Sequence, residues 1–172
     1  EAARRGASKL RINPGNIGGD DRLGPVVEAA AERGLPIRVG VNAGSLEKEI
    51  AARHGGPTAE ACCESALRSV ERMTRLGFEN LVVSIKASDV PRTVAANRLF
   101  ARESDLPLHL GITEAGFGES GTIKSAVGVG ILLAEGIGDT LRVSLTDDPA
   151  EEVRVGRQIL QSLGLRRGPE LV

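Results

Sequence analysis

The stretch Leu108-His109-Leu110-Gly111-Ile112-Thr113-Glu114-Ala115-Gly116 sets a histidine and a carboxylate at the end of an apolar strand and runs straight into a glycine-rich turn. His109, Gly111 and Thr113 alternate with three aliphatic residues, the period of a strand with two different faces. The C-terminal ends of such strands are where α/β proteins keep their chemistry. Four other segments have the same form: Lys9-Leu10-Arg11-Ile12-Asn13-Pro14, Ile37-Arg38-Val39-Gly40-Val41-Asn42, Val82-Val83-Ser84-Ile85-Lys86 and Leu141-Arg142-Val143-Ser144-Leu145. Together they read as five βα units that aim their functional side chains at one common face.

Short β-branched runs bounded by Gly, Pro or Asp predict strands near 9–13, 36–41, 80–86, 107–113 and 139–145. Apolar spacings of three and four predict helices near 20–33, 45–53, 58–76, 91–104, 122–135 and 149–163. Gly34 and Gly77 suit left-handed helix ends, and Asp89 and Asp148 precede proline-tolerant first turns as caps. Strict alternation implies a parallel sheet, closed or open. Polar residues in mid-strand, His109 and Arg142, favour a barrel interior over the apolar strands of an open sheet. The fold class expected is therefore α/β, a partial TIM (β/α)8 barrel of about five consecutive units covering 1–172. A full barrel takes about 250 residues and five eighths of it about 156. A chain of 172 residues that opens on Glu1, with Glu1 to Arg5 resembling a helix tail, is thus expected to be a segment of a larger protein.

With 22 basic and 23 acidic residues the net charge is −1, so no global field favours nucleic acid or an anionic membrane. The chain has no Trp or Tyr and three Phe, which removes the platforms on which single-strand binders stack bases. Its longest apolar run, Ala126 to Ala134, falls well short of the roughly 20 residues of a membrane span, and a cytoplasmic location is expected. The two cysteines, Cys62 and Cys63, are neighbours on a helix and point apart, which makes a mutual disulfide or a shared metal awkward. They read as small packing residues.

Gly116-Phe117-Gly118-Glu119-Ser120-Gly121 is literally a G-x-G-x-x-G. The dinucleotide fingerprint, however, needs the turn directly after the strand and an acid at the end of the next one, whereas Asp139 stands at the beginning of its strand. A phosphate-tolerant turn leading into a helix and a plain loop remain open. Arg11, Arg38, Lys86 and Arg142 carry more information. Each alone suits an ion pair; jointly, four cations on four strands suit a clamp for diphosphate, with Asn42 and Ser144 as neutral donors. Glu114 is placed to handle a proton, or else to cap the next helix or pair with Lys124. His109 reads equally as a core histidine or a ligand contact, and His54 as an inert residue of a surface loop.

At this point the chain resembles the 4-hydroxy-3-methylbut-2-enyl diphosphate synthases of the non-mevalonate isoprenoid pathway. The matching stretches are Arg11 to Gly18, Arg38 to Ser45, Val83 to Val90, His109 to Gly116, Gly121 to Ser125 and Gly136 to Thr146, in family order through nearly the whole chain. The resemblance implies a TIM barrel that binds 2-C-methyl-D-erythritol 2,4-cyclodiphosphate and takes it through ring opening and reductive dehydration. It implies a 4Fe-4S cluster, ferredoxin or flavodoxin as electron donor, and a homodimer. It assigns Arg11, Arg38, Asn42, Lys86, Arg142 and Ser144 to substrate binding and Glu114 to proton handling, with His109 in the same motif in a role left open. It also implies cluster cysteines in a C-terminal domain, which Cys62 and Cys63 do not match, and further strands upstream. Two rival readings are an open-sheet nicotinamide-dependent oxidoreductase and a non-catalytic scaffold module.

Overall fold

In a computed structural model, which describes residues 1–167, five parallel strands follow one another in space in the order of the chain. β2 (Ile37–Asn42) is rich in β-branched residues and pairs with β3 (Leu81–Lys86) over its whole length, from Ile37 opposite Leu81 to Asn42 opposite Lys86. β1 (Leu10–Ile12) lies on the other edge of β2, with Arg11 opposite Arg38. β4 (His109–Leu110) and β5 (Thr140–Leu141) form a shorter parallel pair. That pair continues the sheet: Val83 bridges Leu108, Val83 N donates to the Pro107 carbonyl at 2.8 Å, and Thr113 N donates to the Ala87 carbonyl at 3.0 Å. No strand order reverses, as it would at the crevice of a doubly wound sheet.

The connecting helices are α1 (Pro14–Ile17), α2 (Asp20–Ala31), α3 (Lys48–Arg53), α4 (Ala59–Arg75), α5 (Val90–Glu103), α6 (Gly118–Ala134) and α7 (Pro149–Ser162), with a 3-10 turn at Ala43–Ser45. Several boundaries follow from the capping residues read in the sequence. Asp89 accepts from Arg92 N at 2.9 Å and Asp148 from Ala150 N at 2.8 Å, while Gly34 and Gly77 end their helices at φ +60° and +74°. Three expectations need correction. α6 begins at Gly118, inside the G-x-G-x-x-G, where the Thr122 hydroxyl donates back to the Gly118 carbonyl. α1 is an extra turn nucleated by Asn13, whose side chain accepts from Gly15 N. Residues 2–6 form turns closed by an Arg5–Glu1 ion pair, and no helix.

Each strand has one apolar and one polar face. Val39, Val41, Val83, Ile85 and Leu110 point into the layer against the helices, where they meet Met73 and Phe100, all 2% exposed or less. Burying this face gives most of the cohesion, at roughly 1.5–3 kcal/mol per fully buried large side chain. The polar face of the same strands is left to the site.

Candidate functional site

Parallel register arranges the polar face in rows. Asn42 lies opposite Lys86, and continuing the β3–β4–β5 register places Gly111 and Arg142 on the same level. The row beneath holds Gly40, Ser84, His109 and Thr140, and the row beneath that holds Arg11 and Arg38. Small residues in the middle row let the two long arginines of the lowest row reach the C-terminal end. Arg11 Nη2 donates to the Gly40 carbonyl at 3.3 Å, and a Cβ at position 40 would lie 2.5 Å from Arg11 Nε. With its amide oxygen turned to the guanidinium, Asn42 accepts from Arg11 Nη2 at 3.3 Å. In the upper row Gly111 makes room for Lys86, whose Nζ would stand 2.9 Å from a Cβ there.

The result is a cleft of about 170 Å³ lined by Arg11, Arg38, Asn42, Ser84, Lys86, Ile112, Thr113, Arg142 and Ser144. Four cations from four strands meet in it. Among the described residues no ion pair involves Arg11, Arg38 or Lys86, and Arg142 has one at arm's length, its Nε 3.7 Å from Glu152 Oε2. Glu152 is itself engaged, accepting from Leu145 N at 2.9 Å. The uncompensated charge shows in the titration of its members. Burial, then Arg38, Arg142 and Arg11, bring the Lys86 ammonium down to about 8. Burial with Arg11 and Arg142 also lowers Arg38. Beneath them, burial and the cations Lys86, Arg38, Lys9 and Arg142 push His109 down to about 3, so its ring is neutral. A small polar cleft with fixed positive charge and no internal anion has the chemistry to hold an anion.

A family model described as the GcpE TIM-barrel domain matches residues 1–157. The chain belongs to that family. Among its relatives is the 4-hydroxy-3-methylbut-2-en-1-yl diphosphate synthase (flavodoxin) of Caldanaerobacter subterraneus subsp. tengcongensis, 62% identical over 97% of this chain and 47% of the relative. The proteins of the same name from Pseudomonas syringae pv. syringae and Azotobacter vinelandii are each 63% identical over 95% of this chain and 44% of their own length. The chain thus spans about half the length of the curated relatives it matches.

Within this GcpE-family chain, the structure brings together Arg11, Arg38, Asn42, Lys86, Arg142 and Ser144 as the sequence suggested. Ser84 and Thr113 join them, and strand alternation was the signal available: Ser84 lies two residues from Lys86, and Thr113 shares the parity of His109 and Gly111. Glu114 is not among the lining residues. It is exposed, one residue past Thr113, at φ +51°, a conformation that non-glycine residues seldom adopt. The cause is a bulge. His109 pairs with Thr140 but Gly116 pairs with Leu145, so eight residues on one segment run against six on its neighbour. Glu114 does not cap α6, whose N-cap is Phe117, and makes no ion pair with Lys124.

Other residues play supporting roles. His54 is not an inert loop residue: its Nε2 lies 2.6 Å from Glu64 Oε2, tying the end of α3 to α4. Asp139 accepts from Leu108 N at 2.8 Å, which commits it to the strand junction and away from a ribose. Gly121 packs where a Cβ would lie 2.7 Å from the Gly116 carbonyl oxygen, a close-contact role for one glycine of the G-x-G-x-x-G. Cys62 and Cys63 are free and buried on α4, and burial raises both thiols to about 11. No helix among the described residues is long and apolar enough to cross a membrane.

Proposed function

We propose that this chain supplies the substrate-binding part of a 4-hydroxy-3-methylbut-2-enyl diphosphate synthase. Its five βα units are then one stretch of an eightfold barrel, a reading supported by strands that run in chain order with one polar and one apolar face. The ligand is 2-C-methyl-D-erythritol 2,4-cyclodiphosphate. The observation that carries this reading is the meeting of Arg11, Arg38, Lys86 and Arg142, largely without carboxylate partners, in one cleft.

A cyclic diphosphate arrives with about two negative charges, and opening the ring places more on the departing phosphate oxygen. Cations already fixed around that oxygen stabilise the developing charge without reorganising. Guanidinium forks of Arg11, Arg38 and Arg142 suit the paired phosphate oxygens, and Lys86 supplies a point charge. Asn42, Ser84, Thr113 and Ser144 offer neutral hydrogen bonds to the remaining oxygens. Glu114, exposed and one residue past Thr113 of the cleft, is assigned the proton transfer.

The overall reaction needs two electrons, which the family resemblance assigns to a 4Fe-4S cluster. The residues here do not fit one. Clusters are held mostly by four thiolates, and no metal-holding group of three His, Cys, Asp or Glu exists among the described residues. The two thiols present are buried against the helix layer and protonated. We therefore place the cluster in another part of the longer protein, with a homodimer, a cytoplasmic setting and reduction by flavodoxin or ferredoxin; flavodoxin stands in the relatives' names. Calorimetric titration of the chain with inorganic pyrophosphate and with the cyclodiphosphate tests the cleft. Binding that weakens steeply with added salt is expected, and no heat with either ligand would refute the assignment.

A further inference from the structure

Two buried polar atoms on the polar face have no hydrogen-bond partner: Arg38 Nε and His109 Nε2. Their chemistry is complementary. A guanidinium Nε–H can only donate, and one nitrogen of a neutral imidazole must accept. The other end of the histidine ring is occupied, with Nδ1 2.8 Å from Thr140 Oγ1. Thr140 is exposed, and water can take up the hydrogen bond its own hydroxyl donates. By register His109 stands beside Ser84, with Gly40 in the same row on the next strand, the small residues past which Arg38 extends towards the cleft. The charged groups acting on the ring come from every neighbouring strand: Lys9 before β1, Arg38 on β2, Lys86 on β3 and Arg142 after β5, all cations.

We propose that Thr140 is a positioning residue. Its hydroxyl accepts the Nδ1–H of His109, so that Nε2 keeps a lone pair on the polar face; the two unpartnered atoms pair, His109 Nε2 accepting from Arg38 Nε–H, when a bound diphosphate draws both Nη groups of Arg38 towards it. This rests on the diphosphate reading of the cleft and adds to it how one of the forks is aimed. The physical advantage lies in neutrality. A carboxylate in place of the imidazole would orient the guanidinium as well, but would cancel the charge that the ligand needs. An imidazole kept uncharged by its surroundings orients Arg38 and leaves its charge whole.

The chain has only two histidines, so both rings can be followed in a long-range 1H–15N spectrum, with a His54→Gln variant to assign them. The expected result is a single neutral Nδ1–H tautomer for His109 that persists below pH 5. Thr140→Val should mix the tautomers and weaken pyrophosphate binding about tenfold, and Thr140→Ser should restore both. His109→Asp should weaken binding further than His109→Phe, since it adds the charge the imidazole avoids. An Nε2–H tautomer in the wild-type chain overturns the proposal, as does unchanged pyrophosphate affinity in Thr140→Val. Failure of the wild-type chain to bind pyrophosphate overturns the cleft reading and the proposal with it, so the two failures are told apart by the wild-type titration.

Discussion

The Glu64 cluster and the cleft both gather basic side chains, and they do so in opposite ways. On the α3–α4 surface one carboxylate, Glu64, accepts from Arg53 and from His54 at 2.6 Å and forms an ion pair with Arg68 at 3.0 Å, and Glu49 lies 3.9 Å from Arg68. The hydrogen bond from His54, then Arg53 and Arg68, hold the Glu64 carboxyl below the usual carboxylate range. In the cleft the cations come from separate parts of the sheet, burial and the neighbouring cations lower Arg38 and Lys86, and the four meet a single distant carboxylate. Basic residues that bring their own anion fasten the fold; basic residues that exclude one are held ready for a ligand. The cleft is therefore expected to cost stability, as functional sites commonly do.

That contrast is most open to attack at Lys86. Replacing it with Met should lower pyrophosphate affinity by about 100-fold, in line with roughly 1.5–3 kcal/mol per charge-assisted hydrogen bond. The same change should stabilise the chain by about 1 kcal/mol, raising Tm by roughly 2–4 °C at this size. A Lys86→Met variant that melts earlier than wild type would put Lys86 among the fastening residues. Gly40→Ala comes next. Its new methyl group displaces the tip of Arg11, so affinity should drop about tenfold while Tm moves by no more than a few degrees, because the displaced group is the end of a flexible side chain.

Titration separates the regions on a finer scale. Lys86 is near 8 in the folded chain against 10.5 ordinarily, so between those values the unfolded chain holds a proton that the folded chain has released. Stability from this residue should rise with pH across that window. Binding an anion should return the proton, and calorimetry at pH 8.5 in buffers of different ionisation heat should register uptake. His109, near 3 against 6.5, acts in the same sense: the unfolded ring charges first, so stability is lost as pH falls from 6.5 towards 3, less so in a His109→Asn variant. The smallest effect belongs to the surface. Glu64→Gln should shift Tm by no more than a few degrees and leave pyrophosphate affinity unchanged; a change in affinity would show that the two regions are coupled.

Strand positions and their polar parity were readable in the sequence, because a two-residue alternation is local and β-branched residues mark it. The convergence of Arg11, Arg38, Lys86 and Arg142 followed from that parity once the strands lay side by side. What escaped was non-local. Nothing in the run from Ile112 to Gly116 reports that its neighbouring strand is two residues shorter, so the bulge and the left-handed backbone at Glu114 were hidden. His54 looked idle because its partner, Glu64, lies on another helix. The turn at Pro14–Ile17 was too short for periodicity to reveal, although Asn13 and Pro14 are suitable capping residues.

Glycine at positions 40 and 111 leaves the cleft no spare volume on its strand side. The smallest enlargement chemistry permits, a single carbon, already intrudes on Arg11 at position 40 and on the Arg142 carbonyl and Lys86 at position 111. Adding a side chain at these two sites can therefore only lower affinity; adjustment in either direction has to come from positions such as Thr140 or Ser144, where a side chain can be traded for one of similar size.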